Sequence, residues 1–116
     1  MDLTQDKIKG IKIKRFFDSD KSFESLLIMG CDYNIHIEVD ENYDEIIITK
    51  RGSKDISSES WMDWENEKQY IGKPINFNWV CTNNNGYKDM VSFAVGEYFP
   101  NVIIISIASQ LEIKTL

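Results

Sequence analysis

The chain has 116 residues, which suits one domain with one hydrophobic core, and residues 1–116 are expected to form a single β domain. Its 19 acidic and 13 basic residues give a formal charge of −6. This charge disfavours direct binding to nucleic acid, which depends on Lys and Arg, and favours a basic protein partner. The sequence contains no recognisable signal peptide and no membrane-spanning apolar stretch, so we expect a cytoplasmic protein that does not bind membranes.

The dominant spacing of apolar residues is two, which is typical of β-strands with one buried face. Near the start, Ile11 and Ile13 alternate with lysines, and Gly10 indicates a bulge. Further strands are predicted at residues 26–29, 33–40, 46–48, 75–81, 87–95, 102–105 and 111–113. The segments that are apolar on both faces, 26–29, 46–48 and 102–105, are expected to be central, and 111–113 to form a short edge strand.

Turn signals separate these segments and predict a mostly antiparallel arrangement. Residues 30–32, 40–44 and 84–86 are turn candidates, and the Asn85-Gly86 pair suits a tight hairpin. A single flat sheet would leave its second apolar face in water. The sequence therefore predicts an all-β fold, a meander sandwich or partly open barrel of about seven or eight strands.

Residues 52–69 interrupt the strand pattern, being polar and acidic yet carrying Trp61 and Trp64. This segment is expected to be a long loop or a short helix begun by Ser60. Two interpretations stay open: the indole rings close one end of the barrel, or they form the centre of a surface that binds a basic protein. On the second interpretation the candidate residues are Asp55, Glu59, Trp61, Asp63, Trp64, Glu65 and Glu67, joined by Asp40, Glu41 and Asp44 at a hairpin tip.

No catalytic motif is recognisable. His36, the single histidine, falls on the polar face of its predicted strand, where we expect a solvated side chain. Without a nucleophile motif, a phosphate-binding loop or a metal-ligand spacing, we expect no enzyme activity, no cofactor and no metal. The alternatives to a protein partner are a small-ligand site in a barrel mouth lined by Trp79, Tyr87 and Phe93, and a homo-oligomer that pairs edge strands.

The second half of the chain carries a series of motifs. They are Tyr70-Ile71-Gly72-Lys73-Pro74-Ile75, then Trp79, then Asn83 with Asn85-Gly86-Tyr87-Lys88-Asp89, and finally Ile107-Ala108-Ser109. This series resembles a family of small uncharacterised bacterial domains, in which an Ile-Gly-Lys turn precedes a Trp-bearing strand and an Asn-x-x-Gly-Tyr-x-Asp hairpin. The resemblance implies a shared β fold but no particular function.

By size, acidity and β content, the chain is also similar in type to the immunity proteins of bacterial toxin systems such as contact-dependent growth inhibition. That resemblance implies a cytoplasmic protein, monomeric when free, which binds and neutralises a cognate toxin domain. The toxin domain of such systems is often a basic nuclease, which agrees with the charge of −6.

Overall fold

A computed structural model describes residues 1–15, 23–40, 42–54 and 61–116. Within these ranges the fold is all-β and antiparallel, which confirms the predicted fold class. The described strands are β1 (Ile8–Arg15), β2 (Phe23–Gly30), β3 (Tyr33–Asp40), β4 (Glu45–Gly52), β5 (Met62–Asp63), β6 (Ile75–Thr82), β7 (Lys88–Val95), β8 (Val102–Ile107) and β9 (Gln110–Thr115). One turn of 3₁₀ helix, Glu67–Gln69, follows β5.

The sheet consists of two meanders, β1–β4 and β6–β9, joined end to end. Seven strands follow the path β4-β3-β2-β9-β8-β7-β6 and curve into a half-barrel, while β1 pairs with β2 and β5 pairs with β1. The two meanders meet where Phe23 of β2 pairs with Leu111 of β9. Strands β4 and β6 therefore lie at the two ends of the path.

The hydrophobic core lies on the inner face of the half-barrel, and its residues alternate along the strands as the sequence predicts. Ile35 and Ile37 of β3, Val91 and Phe93 of β7 and Ile104 of β8 are completely buried there. Side chains between them point to the outer face, because successive residues of a strand face opposite sides of a sheet. The alternation of side chains along each strand thus determines which residues lie on the outer face of the half-barrel.

Two predictions about strand position are wrong. Residues 46–48 belong to β4 at one end of the sheet path, and Ile47 is exposed; residues 111–113 belong to β9, between β8 and β2. Ile46 and Ile48 of β4 still contact the core because the sheet curves. An apolar segment favours burial of its side chains. Which strands lie beside it depends on how distant parts of the chain pair.

The described ladders contain four register shifts, two in the β1–β2 pair and two in the β6–β7 pair. The bulge predicted at Gly10 is confirmed by a register shift between Ile8 and Gly10. A second shift, between Ile75 and Phe77 of β6, was not predicted. It inserts one residue, so that Ile75 stays in the core while Phe77 and Trp79 turn outwards. The spacing of two along residues 75–79 predicts one shared buried face for Ile75, Phe77 and Trp79, and the bulge makes this prediction wrong.

No helix in the described ranges has the length and apolar character needed to cross a bilayer.

Candidate functional site

Trp64 belongs to the core. Its side chain is 4% exposed and its ring stacks on Tyr70 with centroids 5.7 Å apart and an angle of 14° between the planes. Its backbone N–H donates to the carbonyl of Ile11 at 2.9 Å, which extends the short pairing of β5 with β1. Trp64 therefore anchors the 61–70 segment to the sheet and presents almost no surface to a partner.

Trp61 lies half-buried over the outer face of the β1–β4 meander. Its ring meets the ring of His36 edge to face at 5.8 Å, and the ammonium group of Lys14 lies 5.0 Å from the ring centroid. The aromatic ring thus covers a histidine and carries a cation on its own face. Trp61 therefore packs against side chains of β1 and β3.

The carboxylates of the 61–70 segment face the cations of β1. Asp63 and Glu67 accept hydrogen bonds from Lys12 Nζ at 2.5 and 3.3 Å. Glu67 is buried and its Oε2 also accepts from the backbone N–H of Ile11 at 2.9 Å. Burial by itself lowers the pKa of Lys12, but the hydrogen bonds and the negative charges of Asp63 and Glu67 together outweigh it and raise that pKa. This arrangement fastens the segment to β1.

Among the described carboxylates of this segment, Asp63 and Glu65 are the exposed ones. Glu65 lies 3.8 Å from the guanidinium of Arg15, and the side chains of Asp63 and Glu65 are 71% and 70% exposed. A basic partner could therefore reach these two carboxylates, although each has an internal cation nearby. Asp55 and Glu59 lie outside the described residues.

The predicted acidic hairpin tip between β3 and β4 is tied to other turns. Asp40 accepts a hydrogen bond from the backbone N–H of Asn42 at 3.0 Å. Asp44, at a φ of 51°, accepts from the backbone N–H of Ser109 at 2.8 Å. Tyr43 stacks on Tyr87 of the β6–β7 turn at 5.4 Å. These contacts hold three turns together at one end of the half-barrel; Glu41 lies outside the described residues.

The expectation of a solvated His36 is wrong. The side chain points to the outer face as predicted, but Trp61 covers it and leaves it buried. Its Nδ1 lies 2.9 Å from Arg51 Nη2, and since a guanidinium only donates, Nδ1 accepts and the proton of the neutral ring is on Nε2. Burial first, then the charges of Arg51 and Lys14, lower the pKa of His36, while Glu38 opposes the shift.

This lowered pKa predicts a loss of stability in mild acid. Because the folded-state pKa lies below the unfolded value of about 6.5, the unfolded chain binds more protons as the pH falls below that value. The contribution is therefore complete above pH 6.5 and is lost as the pH falls through the folded pKa. We expect the urea midpoint of the native chain to fall between pH 7 and pH 5 more than that of His36→Gln. Equal slopes for both proteins would contradict this account.

The residues predicted to line a small-ligand mouth do not meet. Phe93 is in the core, Trp79 is on the outer face of β6, and Tyr87 stacks on Tyr43 at the turn cluster. A cavity of about 320 Å³ does lie beside Trp64, bordered by Phe23, Glu65, Glu112 and Lys114 among others. Its border mixes charges of both signs and differs from the mostly apolar lining of small-molecule sites.

The outer face of the β6–β9 meander is mostly apolar, with exposed side chains at Phe77, Trp79 and Ile107, while Ser92 and Ala94 between them are buried. In the register of the sheet, Trp79 lies opposite Ser92, Ser92 opposite Ile103, and Ile103 opposite Lys114. The neighbouring outward positions are Phe77 and Cys81 on β6, Met90 and Ala94 on β7, and Ile105 and Ile107 on β8. The charged residues of this face lie at its margins, at Glu112 and Lys114 on β9 and at the Lys88-Asp89 end of β7.

Aromatic side chains stand out from this face at its β6 side. Phe77, Trp79, Tyr98 and Phe99 are 46%, 40%, 84% and 51% exposed, and we call these four residues the aromatic surface. The ring of Phe77 lies 6.0 Å from that of Trp79 and 6.4 Å from that of Tyr98. The rings of Phe77, Trp79 and Tyr98 therefore contact one another while remaining open to solvent.

The outer faces of the two meanders differ in whether another described segment lies over them. Over β1–β4, Trp61 covers His36, and Lys12 and Lys14 lie in the same layer. Over β6–β9, none of the described segments lies across the sheet in this way, and Ile107 is 46% exposed. Within the described ranges, the second face is the one that offers a contiguous apolar area to another molecule.

The sequence does not predict the aromatic surface. Apolar residues stand at every second position from Ile75 to Trp79, and this spacing predicts a regular strand with one buried face. The hidden bulge at Asn76 reverses the faces, and β-bulges in strands without glycine leave little sequence signal. Two features did hint at exposure: asparagines alternate with the aromatics in 75–79, and Tyr98-Phe99 stand in a turn next to Pro100.

The fold and its exposed face define a class of protein: a small all-β half-barrel domain with one mostly apolar, partly exposed sheet face. The chain belongs to a family of unknown function, DUF6334, whose model matches residues 1–116. The predicted likeness to uncharacterised domains is thereby confirmed at this level, and the match extends from the second half to the whole chain. No curated protein and no solved structure matched the chain.

Proposed function

We propose that the protein is a non-enzymatic protein-binding module, and that its binding site is the aromatic surface with the adjoining outer face of β6–β9. The observation that supports this proposal is the joint exposure of the contacting rings of Phe77, Trp79 and Tyr98, with Phe99 exposed next to Tyr98 in the sequence. Aromatic residues concentrate binding energy in protein interfaces, because they bury a large apolar area at a small cost in side-chain entropy.

The size of the exposed area supports a binding role. An aromatic side chain can bury about 150–250 Å². From the exposed fractions of its four rings, the aromatic surface presents on the order of 450 Å², and the isoleucines of β8 extend it. This is within the range of about 300–600 Å² for the largest apolar patch of a typical monomer, a patch that is often functional.

The charge of the chain supports a basic partner. A net charge of −6 attracts a cationic protein and repels other acidic ones before any contact forms. In this arrangement the aromatic surface supplies most of the affinity, while the charge of the whole molecule speeds the encounter. Carboxylates with high exposure, such as Asp63 and Glu65, contribute to that field even where they also contact a lysine or arginine.

Within this class we propose the role of an immunity protein, which binds and neutralises the toxin domain of a bacterial competition system in the cytoplasm. The similarity in type to such proteins, the acidity and the compact all-β domain support this role. An inhibitor of this kind needs a stable scaffold and an exposed contact surface but no catalytic group. A basic nuclease domain is the partner chemistry that fits the charge.

The test uses the purified protein encoded by the gene immediately upstream, with its binding to this chain measured by biolayer interferometry at low and high salt. We expect a complex whose association rate falls as salt rises. Trp79→Ala and Tyr98→Ala are each expected to weaken the complex at least about tenfold, mainly through faster dissociation.

Matched controls separate the surface from general effects of losing an exposed apolar side chain. Met62→Ala and Ile71→Ala remove side chains that are 49% and 44% exposed and lie outside the β6–β9 meander. Both should bind like the native chain. Absence of any complex would reject the immunity role, and a complex indifferent to Trp79→Ala and Tyr98→Ala would reject the aromatic surface as the site.

A further inference from the structure

The turn between β6 and β7 contains Asn85-Gly86, the one Asn-Gly pair of the sequence, but another residue holds this turn together. The side-chain oxygen of Asn83 accepts hydrogen bonds from the backbone N–H groups of Asn85 and Tyr87 at 2.9 and 3.2 Å. The backbone carbonyl of Asn83 accepts from the N–H of Gly86 at 3.0 Å, and its N–H donates to the carbonyl of Tyr87 at 2.8 Å. Asn83 therefore fixes the turn, as asparagines do when they bond to backbone groups nearby in the chain.

The side chain of Asn85, in contrast, is exposed and makes no hydrogen bond with any residue that the structure describes. Gly86 is exposed as well, at a φ of 86°. A side chain placed on its Cα would meet nothing within 4 Å beyond its chain neighbours. The space around the peptide bond between these two residues is therefore open to water and to movement of the Asn85 side chain.

Ring closure between Asn85 and Gly86 is sterically accessible. The amide carbon of Asn85 is linked to the Gly86 nitrogen through Cβ, Cα and the carbonyl carbon, so a bond between the two atoms closes a five-membered ring. A Cβ on the second residue hinders this approach, and glycine has none. Each of the other asparagines precedes a residue with a side chain. The 85–86 pair is therefore the place in this chain where such a reaction meets the least hindrance.

We propose that Asn85 is a modification site, at which the protein deamidates spontaneously through a cyclic imide with Gly86. The Gly86 nitrogen gives its proton to solvent and forms a bond to Cγ of Asn85. The bond from Cγ to the amide nitrogen breaks, and ammonia leaves with a proton taken from water. A water molecule then opens the imide at one of its two carbonyl carbons. The product is aspartate or, where the backbone now runs through Cγ, isoaspartate.

The reaction changes the charge and the geometry of the turn. One water is consumed, one ammonia is released and nothing is oxidised, while a neutral amide becomes a carboxylate and the formal charge passes from −6 to −7. In isoaspartate the chain is longer by one methylene carbon between positions 85 and 86. The N–H groups of Gly86 and Tyr87 then no longer match the oxygens of Asn83. Tyr87, which stacks on Tyr43 at 5.4 Å, thereby loses part of its support.

The contacts of Asn83 control the rate of this reaction. The Gly86 nitrogen is not available for attack while its N–H is bound to the Asn83 carbonyl, so the turn must open first. Asn83→Ala removes the side-chain oxygen and with it two of the hydrogen bonds that oppose opening. Each such bond favours the closed turn by a factor of about 2–10, so we expect Asn83→Ala to deamidate at least about threefold faster than the native chain.

The test is incubation of the full chain in mildly alkaline buffer at physiological temperature, followed by anion-exchange chromatography and by peptide mass spectrometry with electron-transfer dissociation. We expect one form with an additional negative charge to accumulate, with the change at position 85 as a mixture of aspartate and isoaspartate. Raising the pH should speed its formation, because the attacking nitrogen must lose its proton. Methylation by an isoaspartyl methyltransferase measures the isoaspartate independently.

Asn85→Gln is the decisive variant, and Asn84→Gln is its matched control at the neighbouring exposed position. A glutamine would have to close a larger ring, so Asn85→Gln should not form the acidic species, whereas Asn84→Gln should behave like the native chain. Circular dichroism verifies that each variant is folded. An acidic form that accumulates equally in Asn85→Gln, or a native chain unmodified under conditions that convert a synthetic peptide of residues 82–89, would overturn the proposal. Equal rates for Asn83→Ala and the native chain would overturn the role of the turn contacts.

Discussion

Glu67→Ala is expected to lower the free energy of unfolding by about 3 kcal/mol, because it leaves a backbone donor and a lysine without their buried acceptor. Glu67 Oε2 accepts from the N–H of Ile11 at 2.9 Å and from Lys12 Nζ at 3.3 Å. Asp63 still contacts Lys12 after the change, but it makes no bond to the Ile11 N–H. The loss is therefore larger than that of an ordinary surface ion pair. Urea denaturation followed by tryptophan fluorescence measures it.

The control for this experiment is Glu65→Ala, two residues away. Its carboxylate is 70% exposed and lies 3.8 Å from Arg15, so its removal should change stability by less than about 0.5 kcal/mol. Comparable losses for both variants would show that Glu67 acts only through the charge of the segment. A large loss for Glu67→Ala alone supports its role as the buried acceptor that holds 61–70 against β1.

Trp64→Ala is expected to cost about 3–5 kcal/mol of stability, the usual range for removing a large buried aromatic side chain. The ring of Trp64 is almost fully buried and stacks on Tyr70. With a total stability on the order of 10 kcal/mol for a domain of this size, the variant keeps only a small margin. Chemical denaturation at 25 °C gives the difference, and circular dichroism verifies the remaining strand content.

The control for Trp64→Ala is Trp79→Ala. The ring of Trp79 is 40% exposed and lies outside the core, so the variant should lose less than about 1.5 kcal/mol. It is expected to lose partner binding instead. The reverse outcome, a stable Trp64→Ala and an unfolded Trp79→Ala, would mean that the assignment of core and surface tryptophans is incorrect.

These paired experiments divide the aromatic residues between folding and binding. Trp64 and Tyr70 close the core, Trp61 covers His36, and the aromatic surface around Phe77 and Trp79 remains outside. The described part of the acidic segment that the sequence marks as a binding region, residues 61–69, contacts β1 through Asp63 and Glu67. The proposed binding site consequently uses aromatic residues from a different part of the chain, together with the negative charge of the whole molecule.

The β architecture could be predicted from the sequence because alternation of apolar residues is a local pattern. Strands β3 and β7 show it in consecutive residues, and the turn at Asn85-Gly86 lies where a tight hairpin is required, with Gly86 at a φ of 86°. The bulge at Gly10 could be predicted for the same reason, since glycine marks it. Size, charge and the polar side of His36 are likewise local properties of the chain.

Tertiary structure decided which side chains are covered. His36 is buried because Trp61, 25 positions away in the chain, lies over it, and Asp63 and Glu67 contact Lys12 across more than 50 positions. The unmarked bulge in β6 turned Phe77 and Trp79 outwards, and the pairing of β2 with β9 placed residues 111–113 inside the sheet. The sequence pattern determines which face of a regular strand is apolar and which is polar. Whether the apolar side meets the core, another segment or water depends on packing between residues far apart in the chain.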